Sequence, residues 1–121
     1  MVEPLTIAVI DAQTVADLRD EGDDLLIDLI DLFVSETPER MRVLAVALED
    51  GSREQVERSA HTLKSTAATF GAEAMRAVAA EAEMAARAGR LERVADLFPT
   101  LQREADQVHD ALAAERGKIV S

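Results

Sequence analysis

Along almost the whole chain, apolar residues recur every three or four positions, and the major breaks in that rhythm fall at glycines. Such spacing gathers apolar side chains on one face of an α-helix, whereas a half-buried strand alternates every two residues. Leu26, Leu29, Ile30 and Phe33 mark one face, with Asp24, Asp28 and Asp31 on the opposite side, and Met41, Leu44 and Leu48 carry it to Asp50-Gly51. Val56, Ala60, Leu63, Ala67 and Phe70 form the next stripe and stop at Gly71. Met75, Val78, Ala79, Ala82 and Ala86 form a third, ending at Gly89, and Leu101, Ala105, Val108 and Leu112 a fourth.

Four amphipathic helices joined by short turns can bury their stripes together only by folding back on one another. The expected fold is therefore all-α: an antiparallel four-helix bundle with helices over about 23–50, 52–70, 72–88 and 91–115. A short N-terminal helix, about 11–20, is capped by Asp11, stopped by Gly22 and expected to pack against the bundle. Residues 1–10, with Leu5, Ile7, Val9 and Ile10, are expected to lie against it too. Thr37-Pro38 predicts a kink or restart, Thr as cap and Pro at the first helical position. Ser52 and Gln55 have the spacing of a capping box, and Pro99 is expected to divide the last helix into a short and a long piece. With 121 residues the chain is expected to be one domain, 1–121. Three Phe and no Tyr or Trp leave a core of small aliphatic side chains, which suits close-packed helices better than a sheet. The absence of Cys excludes disulfides, thiolate metal sites and a Cys nucleophile.

Charge narrows the partners. Twenty-four acidic residues against 13 basic ones give a formal net charge of −11, which repels nucleic-acid phosphates and anionic membranes alike. No apolar run approaches the roughly 20 residues of a membrane span. The start, Met1-Val2-Glu3-Pro4-Leu5, lacks the basic region of a signal peptide. A soluble, cytoplasmic protein is expected, with no nucleic-acid or membrane partner.

The 52–70 helix carries the chemistry. At about 100° per residue, its apolar stripe occupies a narrow arc, and His61 lies well over a right angle from the arc's centre. A satisfied core histidine is thus disfavoured, and an ordinary solvated one remains the competing reading. Lys64, one turn on, can bring its ammonium near the imidazole, and Ser65 and Ala68 add small side chains to the same strip. Small residues let a partner approach closely. A neutral imidazole, with an unperturbed pKa of about 6.5, is a competent nucleophile near neutral pH.

The run Ala60-His61-Thr62-Leu63-Lys64-Ser65-Thr66-Ala67-Ala68-Thr69-Phe70-Gly71 resembles the motif of histidine-containing phosphotransfer domains. That pattern reads His, any residue, apolar, Lys, Gly, small residues, and a Gly ten positions after the His. Leu32-Phe33 through Pro38 and Met41 resembles the family's preceding helices, and Glu83-Met84-Ala85-Ala86-Arg87-Ala88-Gly89 resembles its following one. Ser65 departs from the pattern, standing where Gly is usual, which bears on partner choice and rate.

The resemblance implies a phosphorelay protein of two-component signalling, without kinase activity of its own. It would accept a phosphoryl group on His61 Nε2 from a receiver-domain phospho-Asp and pass it to another receiver. Lys64 would be the phosphate-side cation, Glu83 the orienter that accepts a hydrogen bond from Nδ1–H, and Gly71 a structural helix stop. For Glu83 a surface ion pair with Arg87 is the competing reading. Partners would be response-regulator receivers or a hybrid histidine kinase. The protein would bring no cofactor, the Mg²⁺ coming with the receiver, and would act as a monomer.

Other signals carry less. Asp106 and His109 share a helical face, but a di-iron bundle needs two such pairs and further Glu residues. Asp24, Asp28 and Asp31 lack the glycine turn of a calcium loop. No Gly-rich phosphate loop occurs among the five glycines. The alternative function is a helical module that docks on a receiver or kinase without carrying phosphate. The chain reads as an independent protein, although a domain cut from a larger kinase would look the same.

Overall fold

The computed structural model describes residues 8–120. In chain order the helices are α1 (Ala12–Glu21), α2 (Asp23–Asp50), α3 (Arg53–Thr69), α4 (Glu73–Arg87) and α5 (Leu91–Ile119). Among the described residues there is no strand. Successive helices from α2 to α5 pack on one another, α5 returns to α2, and α1 lies on α2. Short turns make the neighbours antiparallel, so this is the expected bundle with its extra N-terminal helix.

The predicted stripes form the core, with Leu29, Leu48 and Val78 half-buried at its edge. Leu26, Ile30, Leu44, Val56, Leu63, Met75, Leu101 and Leu112 are fully buried. Phe33 and Phe70 meet edge to face across the α2–α3 seam, ring centroids 5.9 Å apart. The α3–α4 seam is built differently. Ala60 and Ala67 from α3 and Ala79, Ala82 and Ala86 from α4 have no solvent exposure at all. Short side chains let two helix backbones approach closely, and this closeness lets a glutamate on α4 reach α3.

Asp11 caps α1 as expected: its carboxylate accepts from the Thr14 amide at 3.0 Å and the Thr14 hydroxyl at 2.6 Å. The Asp11 amide also donates to the Phe70 carbonyl at 3.0 Å, which ties the start of α1 to the end of α3. Gly71 sits at that junction with φ +62°, and a Cβ there would lie 2.4 Å from the Asp11 Cβ. Only glycine meets both the left-handed turn and the close approach. Val9 and Ile10 pack on the core, while Leu5 and Ile7 lie outside the described residues.

Three local expectations need correction. The helix does not restart at Pro38, nor is the last helix divided at Pro99: Pro38 lies inside α2 and Pro99 inside α5, each a single helix. A proline deprives the carbonyl four residues earlier of its partner. Here those carbonyls belong to Val34 and Ala95, which are exposed like the prolines themselves, so water can take the missing bond. Thr37 accordingly caps nothing. It is buried, and its hydroxyl oxygen makes no hydrogen bond. The Ser52–Gln55 capping box is also absent, since Ser52 occupies the N-cap position without a side-chain cap bond. The Ser52 amide already donates to the Ala47 carbonyl at 3.0 Å, which removes the donor that Gln55 would have served.

Candidate phosphotransfer site

Residue 61 falls opposite the buried stripe of α3, and the structure leaves 59% of the His61 side chain exposed. Its ring is nonetheless anchored. Nδ1 stands 2.7 Å from Oε2 of Glu83, which reaches across the alanine seam from α4. Glu83 is buried, 6% exposed in its side chain, and Lys64 Nζ donates to its other oxygen at 2.6 Å. Arg87, one turn along α4, places Nη2 3.2 Å from Oε2. A carboxylate with so little solvent is held by three donors.

Burial alone pushes the Glu83 carboxyl up, but the hydrogen bonds from Lys64 and His61, helped by their charge, outweigh it, and its pKa lies below the usual carboxylate value. Glu83 is therefore an anion at neutral pH and can only accept, so the proton between it and the imidazole belongs on Nδ1. In the neutral ring this leaves the lone pair on Nε2, the nitrogen not bound to Glu83. The arrangement is a nucleophilic nitrogen on an exposed helix face, in a fixed tautomer, with cations within one turn.

Of the residues singled out, His61 and Lys64 meet through Glu83, whereas Gly71 sits apart, at the junction of α3 with α1. Ser65 and Ala68 are exposed along the same side of α3. Lys64, expected beside the imidazole, is instead seated on the carboxylate that holds the imidazole. The competing reading of Glu83 as a partner of Arg87 is not an alternative, because one oxygen serves both His61 and Arg87. Sequence reading missed Glu57, which accepts from Arg87 Nε at 3.1 Å and from Arg53 Nη1 at 3.3 Å. Its signal was its place four residues before His61, on the same face of α3. His61, Glu83, Arg87, Glu57, Glu54 and Arg58 line an open hollow of about 400 Å³.

Comparison with protein families finds the Hpt domain over residues 28–111, which takes in α3, α4 and most of α2 and α5. The chain belongs to the Hpt family. Its fold is similar to the crystal structure of histidine-containing phosphotransfer protein B (HptB) from Pseudomonas aeruginosa PAO1, with a TM-score of 0.86 and 29% sequence identity over 93% of this chain and 98% of that one. Comparison with curated proteins gives no match. Hpt proteins are phosphotransfer intermediates of phosphorelays and work with receiver domains and histidine kinases. The bundle expected from the apolar periodicity and the family expected from the motif are those found. No helix among the described residues is long and apolar enough to cross a membrane.

Proposed function

We propose that this Hpt protein carries its phosphoryl group on His61 Nε2, accepting it from a receiver-domain phospho-Asp and passing it to another receiver. The observation that carries the reading is the 2.7 Å contact between His61 Nδ1 and the buried Glu83 carboxylate. It fixes the tautomer and the ring plane while leaving Nε2 free to attack.

In the transfer, the Nε2 lone pair forms a bond to phosphorus as the bond from phosphorus to the aspartyl oxygen breaks, its electron pair staying on the Asp carboxylate. Nδ1 keeps its proton, so the phosphorylated ring gains positive charge, which the Glu83 carboxylate beside it offsets. Lys64 supports the anion that does this and stands one helical turn from His61. The Mg²⁺ and most of the charge stabilisation are brought by the receiver, in a reaction dominated by positioning and electrostatics. Ser65 and Ala68 are small enough for the receiver's active site to approach, and the Ser65 hydroxyl sets this site apart from the usual Gly. The protein works as a cytoplasmic monomer without kinase activity of its own.

The test is to mix the protein with a phosphorylated cognate receiver and follow label, with His61→Gln and His109→Gln alongside. Acid-labile, base-stable label that is lost only in His61→Gln is expected. Binding without label in the unaltered protein would sink the relay reading and leave a docking module.

A further inference from the structure

The hollow beside His61 is an odd place for a phosphoryl group. Three carboxylates, Glu54, Glu57 and Glu83, line it against two guanidinium groups, Arg58 and Arg87. A phosphoryl group on Nε2 brings nearly two more negative charges to this rim. Arg87 lines the same hollow as His61, and its Nη2 already meets the Glu83 oxygen that holds the imidazole, so its guanidinium can turn toward these charges. A guanidinium suits phosphate oxygens well, but its donors are directional, and those used by carboxylates are not free.

Glu57 spends one of them. Its Oε2 takes Arg87 Nε at 3.1 Å while Oε1 takes Arg53 Nη1 at 3.3 Å, so the carboxylate is braced along its own helix as it draws Arg87 aside. The side chain of Glu57 is 27% exposed and that of Arg87 62%, which leaves the guanidinium room to turn and the carboxylate much less. We propose that Glu57 is a positioning residue that holds Arg87 back from the phosphoryl group and so keeps phospho-His61 ready to give it up. The inference rests on the relay reading of His61. It concerns how the phosphoryl group is shared, in the reversible step in which the Nε2–P bond breaks, its electrons return to Nε2, and a receiver carboxylate oxygen forms the new bond to phosphorus. A relay intermediate that bound its phosphoryl group too well would stop the relay.

The experiment measures the equilibrium partition of label between this protein and one receiver domain, with Mg²⁺, for the unaltered chain, Glu57→Gln, Arg87→Ala and the double variant. An equilibrium ratio is insensitive to how fast the two proteins dock, and the helical circular dichroism of each variant reports that it is folded. Glu57→Gln is expected to shift the partition about fivefold toward His61, as one charge-assisted hydrogen bond is transferred to phosphate. The double variant is expected to match Arg87→Ala. An unchanged partition in Glu57→Gln would overturn the proposal, as would an equal shift persisting without Arg87, which would make Glu57 a bare charge. Absence of label from the unaltered chain would overturn the relay reading itself, a result distinct from both.

Discussion

The two histidines of this chain make a controlled comparison. His61 on α3 and His109 on α5 are similarly exposed, 59% and 46% in their side chains, and each has Nδ1 facing a carboxylate. The difference lies in the carboxylates. Glu83 is 6% exposed, 2.7 Å away, and fixed by Lys64 and Arg87 as well as by the ring. Asp110 is 86% exposed, 3.4 Å away and adjacent in sequence. A solvated carboxylate competes with water for the ring and orients little. A buried one has surrendered its water and is held to its partners, so it can impose a tautomer. What distinguishes a site is thus the second residue, and behind it the alanine seam that brings α4 close enough for Glu83 to reach.

The largest effect that would break this contrast lies in transfer. Glu83→Gln keeps the shape but removes the charge and allows the amide to donate as well as accept, so the Nδ1–H tautomer is no longer enforced. Phosphoryl transfer to His61 is expected to slow by about tenfold or more, by analogy with the loss seen when the carboxylate that orients a metal-bound histidine is removed. Asp110→Asn, measured in the same assay, is expected to leave the rate unchanged. Equal rates for Glu83→Gln and the unaltered protein would show that the buried carboxylate does not orient the ring.

A smaller effect sharpens the contrast in stability. The folded-state pKa of Glu83 is depressed, the burial that raises it being outweighed by the hydrogen bonds from Lys64 and His61. A depressed carboxylate contributes stability that is fully present above its unfolded value and lost as pH falls through its folded value. The ionised Glu83 should therefore favour the unaltered protein over Glu83→Gln near neutral pH. That advantage should shrink below about pH 4.5 as the carboxyl protonates. Denaturant midpoints of the two proteins from pH 7 to pH 3 check this, and a difference that grows with acidity would reverse the sign of the argument.

Much of this was legible in the sequence, and the reasons divide cleanly. The buried stripes are periodic, and periodicity survives any detail of packing, so Val56, Ala60, Leu63, Ala67 and Phe70 are all inside as read. His61 was legible as exposed for the same reason. The contact of Glu83 with His61 was legible only through the family resemblance, because a residue 22 positions away meets His61 only once α3 and α4 are docked; its two competing readings hold together, and its bond to Lys64 was not foreseen. The prolines misled because a local rule about a lost amide depends on whether the stranded carbonyl faces water. Ser52 misled because its amide was already taken by the preceding turn, a fact that no four-residue window contains.

The smallest expected effect belongs to the His109 side of the molecule. Thr37 on α2 is buried with its hydroxyl oxygen unpaired, beside a cleft of about 50 Å³ lined by Phe33, Pro38, Met41, Gln102, Asp106 and His109, among others. A buried hydroxyl without a partner carries a desolvation cost of about 1–3 kcal/mol, and valine has nearly its shape. Thr37→Val is therefore expected to raise stability by about 1 kcal/mol, read as a higher denaturant midpoint at unchanged slope, with transfer to His61 unaffected. Destabilisation would mean that the hydroxyl does have a partner, and a cleft of this size and polarity has room for water. His109, which lines the same cleft, would then join a hydrated network of its own. The two histidines would still differ, but as a ring held by a buried anion and a ring held by water, and only the first arrangement fixes a tautomer for transfer.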